Sequence, residues 1–306
     1  MRYVVLSFVA LLAGLSAPAY AQDEAPVIVP PVTPWQVDFG ENKCRAVRVF
    51  GEGDERTVLL LEQITPSDSP RWIMAGDVAE RLNSGGDLTV QFGPGVGAFE
   101  MSAAKGTTLG DFGKAYRSFS IRKPDWDGRD GKKEDEADNL DDEADPTPGI
   151  PMLDIEEGAS IEWVQFSRDK RAPQRLATGD LGQLFSVLNT CMTDLVGTWG
   201  VDVEAQQRRA KGPSPLNLSQ IANRIQQYYP SRAERWGKQA DLSIRMLVDE
   251  NGAITDCRIT NITIAEDFDD RACSEFKKVG KFEPAIDTDG KPMASFYAST
   301  ILYRLN

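Results

Sequence analysis

The 306-residue chain contains no histidine. That removes the commonest general base and the commonest transition-metal ligand together. Carboxylate pairs and Ser-Lys pairs remain as routes to catalysis, but the usual constellations do not. Basic charge is also scarce: 34 Lys and Arg stand against 47 Asp and Glu, a net charge of −13. Binding to a phosphate backbone is driven by Lys and Arg that release counterions, so a nucleic-acid partner is not expected. Beyond the N-terminal segment no apolar run approaches the ~20 residues that span a bilayer. The four cysteines include no CxxC pair, so a four-thiolate metal site has no support. Nothing calls for a cofactor, a metal or a small-molecule substrate.

What is present begins with MRYVVLSFVALLAGLSAPAYAQ. Arg2 supplies a positive start, residues 4–15 an apolar core, and Ala19 and Ala21 the small residues a signal peptidase requires. This reads as a secretory signal peptide over residues 1–21, cleaved after Ala21. An uncleaved membrane anchor is the alternative, and the apolar run is short for it. In an exported chain four cysteines suggest disulfides, with three possible connectivities. Pairing within each expected domain gives Cys44–Cys191 and Cys257–Cys273; buried free thiols are the other reading.

Residues 22–34, with Pro26, Pro30, Pro31 and Pro34, read as an extended Pro-rich leader. From 35 to 201 the pattern is β-rich. Trp35, Val37 and Phe39 alternate, as do Cys44, Ala46 and Arg48 against Arg45, Val47 and Val49. Segments 57–64, 71–76, 87–92, 98–101, 118–121 and 160–166 read as further strands, divided by Gly, Asp, Ser and Pro clusters. Within this domain, residues 124–149 are acidic and almost free of apolar side chains, which predicts a disordered loop. A helix is predicted over 180–198. Leu181, Leu184, Phe185, Leu188, Cys191, Met192, Leu195, Val196 and Trp199 form one apolar face, and Asp180 with Gln183 fits a capping pair.

A polar linker, 202–217, precedes a second domain, 218–306. There, Leu218, Ile221, Ile225 and Tyr228 mark a helix that Pro230 stops. A strand over 241–248 directs Leu242, Ile244, Met246 and Val248 one way. A turn at 249–252, a returning strand at 253–262, a helix at 267–279 and a closing strand at 293–305 follow. The expected class is α+β: a C-terminal three-stranded antiparallel sheet with two helices, and an N-terminal β-rich domain closed by one helix.

Candidate chemistry is thin. Ser102–Lys105, Ser167–Lys170 and Ser274–Lys277 each match Ser-x-x-Lys, but three matches without the accompanying motifs indicate chance. GPGVG at 93–97 lacks phosphate-loop spacing and reads as a hairpin loop. Asp125, Asp127 and Asp130 suggest calcium, yet the fifth and sixth loop positions are Arg129 and Asp130, where that loop needs an acceptor and glycine. Asp154, Glu156 and Glu157 are the carboxylates an envelope hydrolase would recruit, and such an enzyme is one alternative function.

From about Gln227 to Leu305 the residues carry an ordered set of marks: Tyr229-Pro230, Ala233, Gly237, Val248-Asp249, Gly252, Phe268-Asp269, Phe282-Glu283-Pro284-Ala285, Gly290, Pro292 and the run from Ile301 to Leu305. Together they resemble the C-terminal domain of the TonB family, over about 218–306. Asn261-Ile262-Thr263 departs from the family's Ser-Ser-Gly, and no long Pro/Lys/Glu-rich spacer is present. The resemblance implies a non-enzymatic, periplasmic protein of a Gram-negative cell in TonB-type transmembrane transport. It would bind an outer-membrane receptor, or another envelope protein, by strand addition. It implies a binding edge at Ser295, Tyr297, Ser299, Ile301 and Tyr303, with Gln227, Tyr229, Pro230 and Arg232 beside it. The stretch FEPAIDTDGKPMASF, 282–296, is then the turn that delivers the chain into that edge. A homodimer and a purely structural envelope role remain open.

Overall fold

A computed structural model describes residues 25–83, 87–101, 107–122, 148–168, 171–237, 240–262, 268 and 271–303. The expected signal peptide, nearly all of the acidic stretch with its calcium candidates, and the Ser102–Lys105 and Ser167–Lys170 pairs lie wholly or partly outside the described residues. The chain is mixed α+β, with several sheets and few helices. No helix among the described residues is long and apolar enough to cross a membrane.

The first domain runs through β1 (Val27–Val29), β2 (Gln36–Phe39), β3 (Cys44–Phe50), β4 (Thr57–Gln63) and β5 (Arg71–Gly76) to a short helix, α1 (Asp77–Arg81). Then come β6 (Leu88–Pro94), β7 (Phe99–Met101), β8 (Thr107–Thr108) and β9 (Lys114–Ser118). It ends with α2 (Ile155–Ala159), β10 (Ile161–Ser167), β11 (Gln174–Leu176) and α3 (Gly182–Gly197). Two sheets result, one ordered β2-β3-β4-β5-β9-β8 and the other β1-β11-β10-β6-β7. They meet at Trp72, whose fully buried ring lies 6.1 Å from Phe92 and 5.5 Å from Phe166 between centroids. β4 is buried along its whole length because both its faces are covered. Leu59 and Leu61 enter the main core, while Val58 and Leu60 pack with Ala75 and Ala115 on the other side. That is why TVLLLEQ reads as a nearly continuous apolar run. α3 closes the core with Leu184, Phe185, Leu188 and Met192, and the Cys44–Cys191 bond ties it to β3. Asp180 accepts the Gly182 N–H at 2.7 Å at its start.

Three expectations change here. The strand expected at 118–121 ends at Ser118. Beyond it the Ser118 hydroxyl donates to the Ser120 carbonyl and the Ser120 hydroxyl accepts the Arg122 N–H, so side chains take the backbone groups a ladder would use. The Pro-rich leader is extended but not detached: β1 pairs in parallel with β11. Residues 202–217 carry α4 (Val203–Gln206), β12 (Arg209–Lys211) and β13 (Ser214–Pro215), and both strands pair with the second domain.

That domain continues with α5 (Leu218–Gln226), α6 (Ser231–Arg235), β14 (Ala240–Val248), β15 (Ile254–Ile262) and α7 (Arg271–Val279). The short strands β16 (Phe282–Glu283), β17 (Ala285–Asp287) and β18 (Pro292–Met293) lead to β19 (Ser295–Tyr303). Among the described residues its helices number three rather than two. Pro230 stops α5 and, at φ −62°, is already set for the helix start of α6. Leu242, Ile244, Met246 and Val248 pack with Ile221, Ile225, Ala272 and Phe276 from the helices, and Cys257–Cys273 ties β15 to α7. Gly252 turns the β14–β15 hairpin at φ +78°, where the Asp249 carboxylate accepts the N–H groups of Asn251 and Ala253. β17 and β18 repeat the device, with Asp287 accepting from Asp289 and Lys291.

The other face of this sheet is not open to water. Asp241, Ser243 and Arg245 alternate with the core residues, and all three are buried. The first domain covers them: Arg117 pairs with Asp241, and Trp199 meets Phe296 edge-on at 5.0 Å. The sheet therefore lies between its own helices and the first domain.

Candidate protein-binding edge

The second domain's main sheet has the order β15-β14-β19, antiparallel throughout. Among the described residues β14 is central and β19 is the last strand, paired with β14 over nine residues from Ala240↔Tyr303 to Val248↔Ser295. An edge strand presents unpaired backbone groups on its outer side, which is what an incoming strand uses. Alternate side chains of β19 have different tasks. Phe296 faces the first domain, while Tyr297, Ile301 and Tyr303 pack toward the helices.

The expected site residues divide into three places. Tyr303 and Tyr229 meet at one end: their rings stand 5.5 Å apart, and Phe268 lies 4.8 Å from Tyr303 and 5.9 Å from Tyr229. Tyr303 is buried, Tyr229 and Pro230 are half-buried, and Gln227 and Arg232 are exposed beside them. This aromatic knot fixes the α5–α6 corner against the end of β19. In the middle, Tyr297 packs edge-on to Phe282 at 5.1 Å, and Ser299 and Ile301 are half-buried. At the far end Ser295 is fully buried, its hydroxyl donating to Gln206 Oε1 at 2.5 Å. Its side chain belongs to the junction between domains. The structure thus gathers Tyr229, Pro230 and Tyr303, and leaves Ser295 at the opposite end of the strand.

The middle of β19 borders the first domain. Ala298, Ser299 and Thr300 line a cavity of about 300 Å³ whose opposite wall includes Gln63, Thr65, Ser67 and Arg71. Sequence reading missed this wall, and it also passed over Trp236. That side chain is 74 % exposed just past the end of α6. A tryptophan between Arg235 and Gly237, off any apolar periodicity, was the available signal.

Two of the three alternative carboxylates are engaged in structure, and Glu156 is exposed. Asp154 caps α2 by accepting the N–H groups of Glu156 and Glu157. Glu157 accepts two hydrogen bonds from Arg122, at 2.5 and 2.8 Å. The carboxylate and the charge of Glu157, with Asp68 and Asp154, hold that guanidinium above its ordinary value despite its burial. Asp154 and Glu156 also line an open groove of about 580 Å³ with Ser186 and Asn189.

Residues 225–305 match the family model of the Gram-negative bacterial TonB protein C-terminal. The match covers about a quarter of the chain and contains α6, α7, the whole β15-β14-β19 sheet and the whole of FEPAIDTDGKPMASF. It starts inside α5. No curated protein matches the chain. The match thus lies within the second domain, while the first domain, the paired strands β12 and β13 and most of α5 precede it.

One further cluster lies where the module meets the first domain. The Arg245 guanidinium stacks 4.0 Å from the centre of the Trp199 ring. Arg209 lies over Phe296 at 5.2 Å. Burial, reinforced by the charge of Arg258 and opposed by Asp256, pushes the Arg245 pKa down to about 10. The Asp256 carboxylate is itself held by Arg258 at 2.9 Å and by Lys277 at 3.7 Å.

Proposed function

We propose that this chain is an envelope protein with a TonB-like role in transport, and that it captures an extended segment of an outer-membrane receptor as a fourth strand beside β19. The observation that carries the reading is the edge itself: nine residues, last in their sheet, within the segment that matches the TonB C-terminal model. Backbone pairing along such an edge supplies affinity without regard to side chains, and flanking pockets supply selectivity. Gln227, Tyr229, Pro230 and Arg232 would read one end of the segment. The rim formed by Ser299, Thr300 and the first domain would read its middle. A periplasmic location after removal of residues 1–21 belongs to the same proposal, as does a non-enzymatic role. Self-pairing of two β19 edges is the competing use of the same surface.

The test is a calorimetric titration of the full mature chain with peptides from the N-terminal segments of outer-membrane receptors. A binding peptide is then resynthesised with N-methyl groups on alternate amides, in both registers. Strand addition predicts that one register loses at least about tenfold in affinity, since each lost backbone hydrogen bond matters, while the other is little changed. Absence of binding by every peptide to the folded chain, or equal binding of both methylated forms and the parent, overturns it. A mass measurement with and without peptide separates receptor capture from self-pairing: a dimer that peptide dissociates uses the same edge.

A further inference from the structure

The cavity of about 300 Å³ between the domains crosses the sheet from β15 over β14 to β19. Phe296 sits in the first domain's core cluster, so the period of two turns Ala298 and Thr300 toward the first domain as well. In the ladder they stand beside Arg245 and Ser243 of β14. The lining is closed on the inner strands and accessible on the last one. Thr260 on β15 is 9 % exposed and Ser243 on β14 is 7 % exposed, while Ala298 and Thr300 on β19 are half-buried. On the opposite wall Thr65, Ser67 and Phe119 are half-buried too, with Gln63 and Ser69 buried beside them. The mouth of the cavity therefore lies where the last strand of the sheet meets the first domain.

We propose that this cavity is a side-chain pocket for the strand captured along β19, and that it takes an aromatic residue, tyrosine before phenylalanine. It rests on the strand capture proposed for that edge. A strand added beside β19 lies about 4.8 Å from it, and its residue opposite Ala298 or Thr300 points to the same face of the sheet. Such a side chain enters the mouth of the cavity, which has room for one large group. Glu62 lines the cavity together with Arg71 and Arg245, so an ionised side chain of either sign meets a like charge. A neutral ring meets none. Phe119 supplies an edge or offset contact to it. The Arg71 guanidinium, 4.7 Å from the centre of the Phe119 ring, supplies a cation for a second ring. Thr65 and Thr300 carry hydroxyls at the mouth, and a phenol both donates and accepts toward them. An aliphatic side chain would cover those hydroxyls without giving them a partner. The first domain thereby sets which segment the edge of the second domain accepts.

The test titrates receptor N-terminal peptides into the full mature chain by calorimetry. The residues of a binding peptide are then replaced one at a time by tyrosine, phenylalanine, leucine, alanine, aspartate and lysine. One position is expected to stand out, where tyrosine binds at least about tenfold tighter than alanine. Phenylalanine is expected to fall between them, and aspartate and lysine to bind no tighter than alanine. Thr65→Trp fills the mouth from the first domain and is expected to bring the tyrosine-to-alanine ratio at that position close to one. A peptide carrying benzoylphenylalanine at the same position is expected, on irradiation of the unaltered chain, to cross-link to residues 62–71 or to Phe119. Mass spectrometry locates that link whether or not the variant folds. Absence of binding by every peptide removes strand capture, and the pocket's occupant with it. Four results overturn the pocket and leave strand capture standing: binding without such a position, a preference there for leucine, aspartate or lysine, an undiminished ratio in a folded Thr65→Trp chain, or cross-links confined to residues 218–306.

Discussion

Replacing Phe296 with alanine separates the stability of each domain from the stability of their union. Phe296 sits on β19 of the second domain but belongs to the core cluster of the first, and it is 6 % exposed. Burying such a side chain is worth about 2–3 kcal/mol. Its edge-on contact with Trp199 at 5.0 Å adds about 1 kcal/mol. Arg209, over the ring at 5.2 Å, adds about 1 kcal/mol. These agree with the about 3–5 kcal/mol commonly lost on truncating a buried phenylalanine to alanine. The loss falls on the junction, because the second domain's own cluster of Leu242, Ile244, Met246, Ile225 and Phe276 does not include Phe296. Calorimetric melting of the full chain is therefore expected to change from one cooperative transition to two, with the secondary structure retained at 25 °C. A single transition at the original temperature would refute the reasoning. So would loss of the second domain's fold at low temperature, which would place Phe296 in that domain's core.

Three other outcomes follow from the same geometry. Alanine replacement of Cys257 and Cys273, which close a loop of sequence separation 16, is expected to cost about 3 kcal/mol in a denaturant titration; replacing Cys44 and Cys191, separation 147, about 5 kcal/mol. Gly252 and Gly290 share φ +78°, but a Cβ at 252 would lie 2.1 Å from the Phe282 carbonyl oxygen, whereas nothing lies within 4 Å of one at 290. Gly290→Ala is thus expected to cost the backbone strain alone, about 1 kcal/mol, and Gly252→Ala clearly more, by urea midpoint. The Arg224 hydrogen bond and charge hold the Glu275 carboxyl below its ordinary 4.5. Its contribution is therefore present above that pH and is lost as pH falls through the lower folded value. Arg224→Met should flatten the acid limb of a stability–pH profile, and an unchanged limb would show the pair to be idle.

Much of the fold was legible because its apolar residues keep clean periods. The 180–198 helix, the alternation at Leu242, Ile244, Met246 and Val248, and the two hairpin turns with Asp249 and Asp287 are local patterns, and local patterns survive in a sequence. The cystine pairs followed from assigning cysteines to domains. The covered face of the sheet was not legible for a specific reason. Asp241, Ser243 and Arg245 are polar residues alternating with apolar ones, which is also the pattern of a strand facing water. Only the first domain, distant in sequence, converts that face into an interior. The same limit hid β12 and β13. Three residues and two residues of polar sequence carry no period, and they become strands only because β17 and β16 are there to receive them. The edge residues were named through the family resemblance and not from any local pattern; the Arg245–Trp199 pair had no local mark at all.

The pairing of residues 209–215 with the short strands before β19 bears on how the protein should be cut. A fragment begun where the family match begins, at residue 225, would strip β12 from β17 and β13 from β16. Two strand edges that the intact chain keeps occupied would then be bare, and neighbouring fragments could fill them for one another. Aggregates or dimers of such a fragment would be products of the excision. A boundary near residue 200, after α3 and before α4, keeps each strand with its mate.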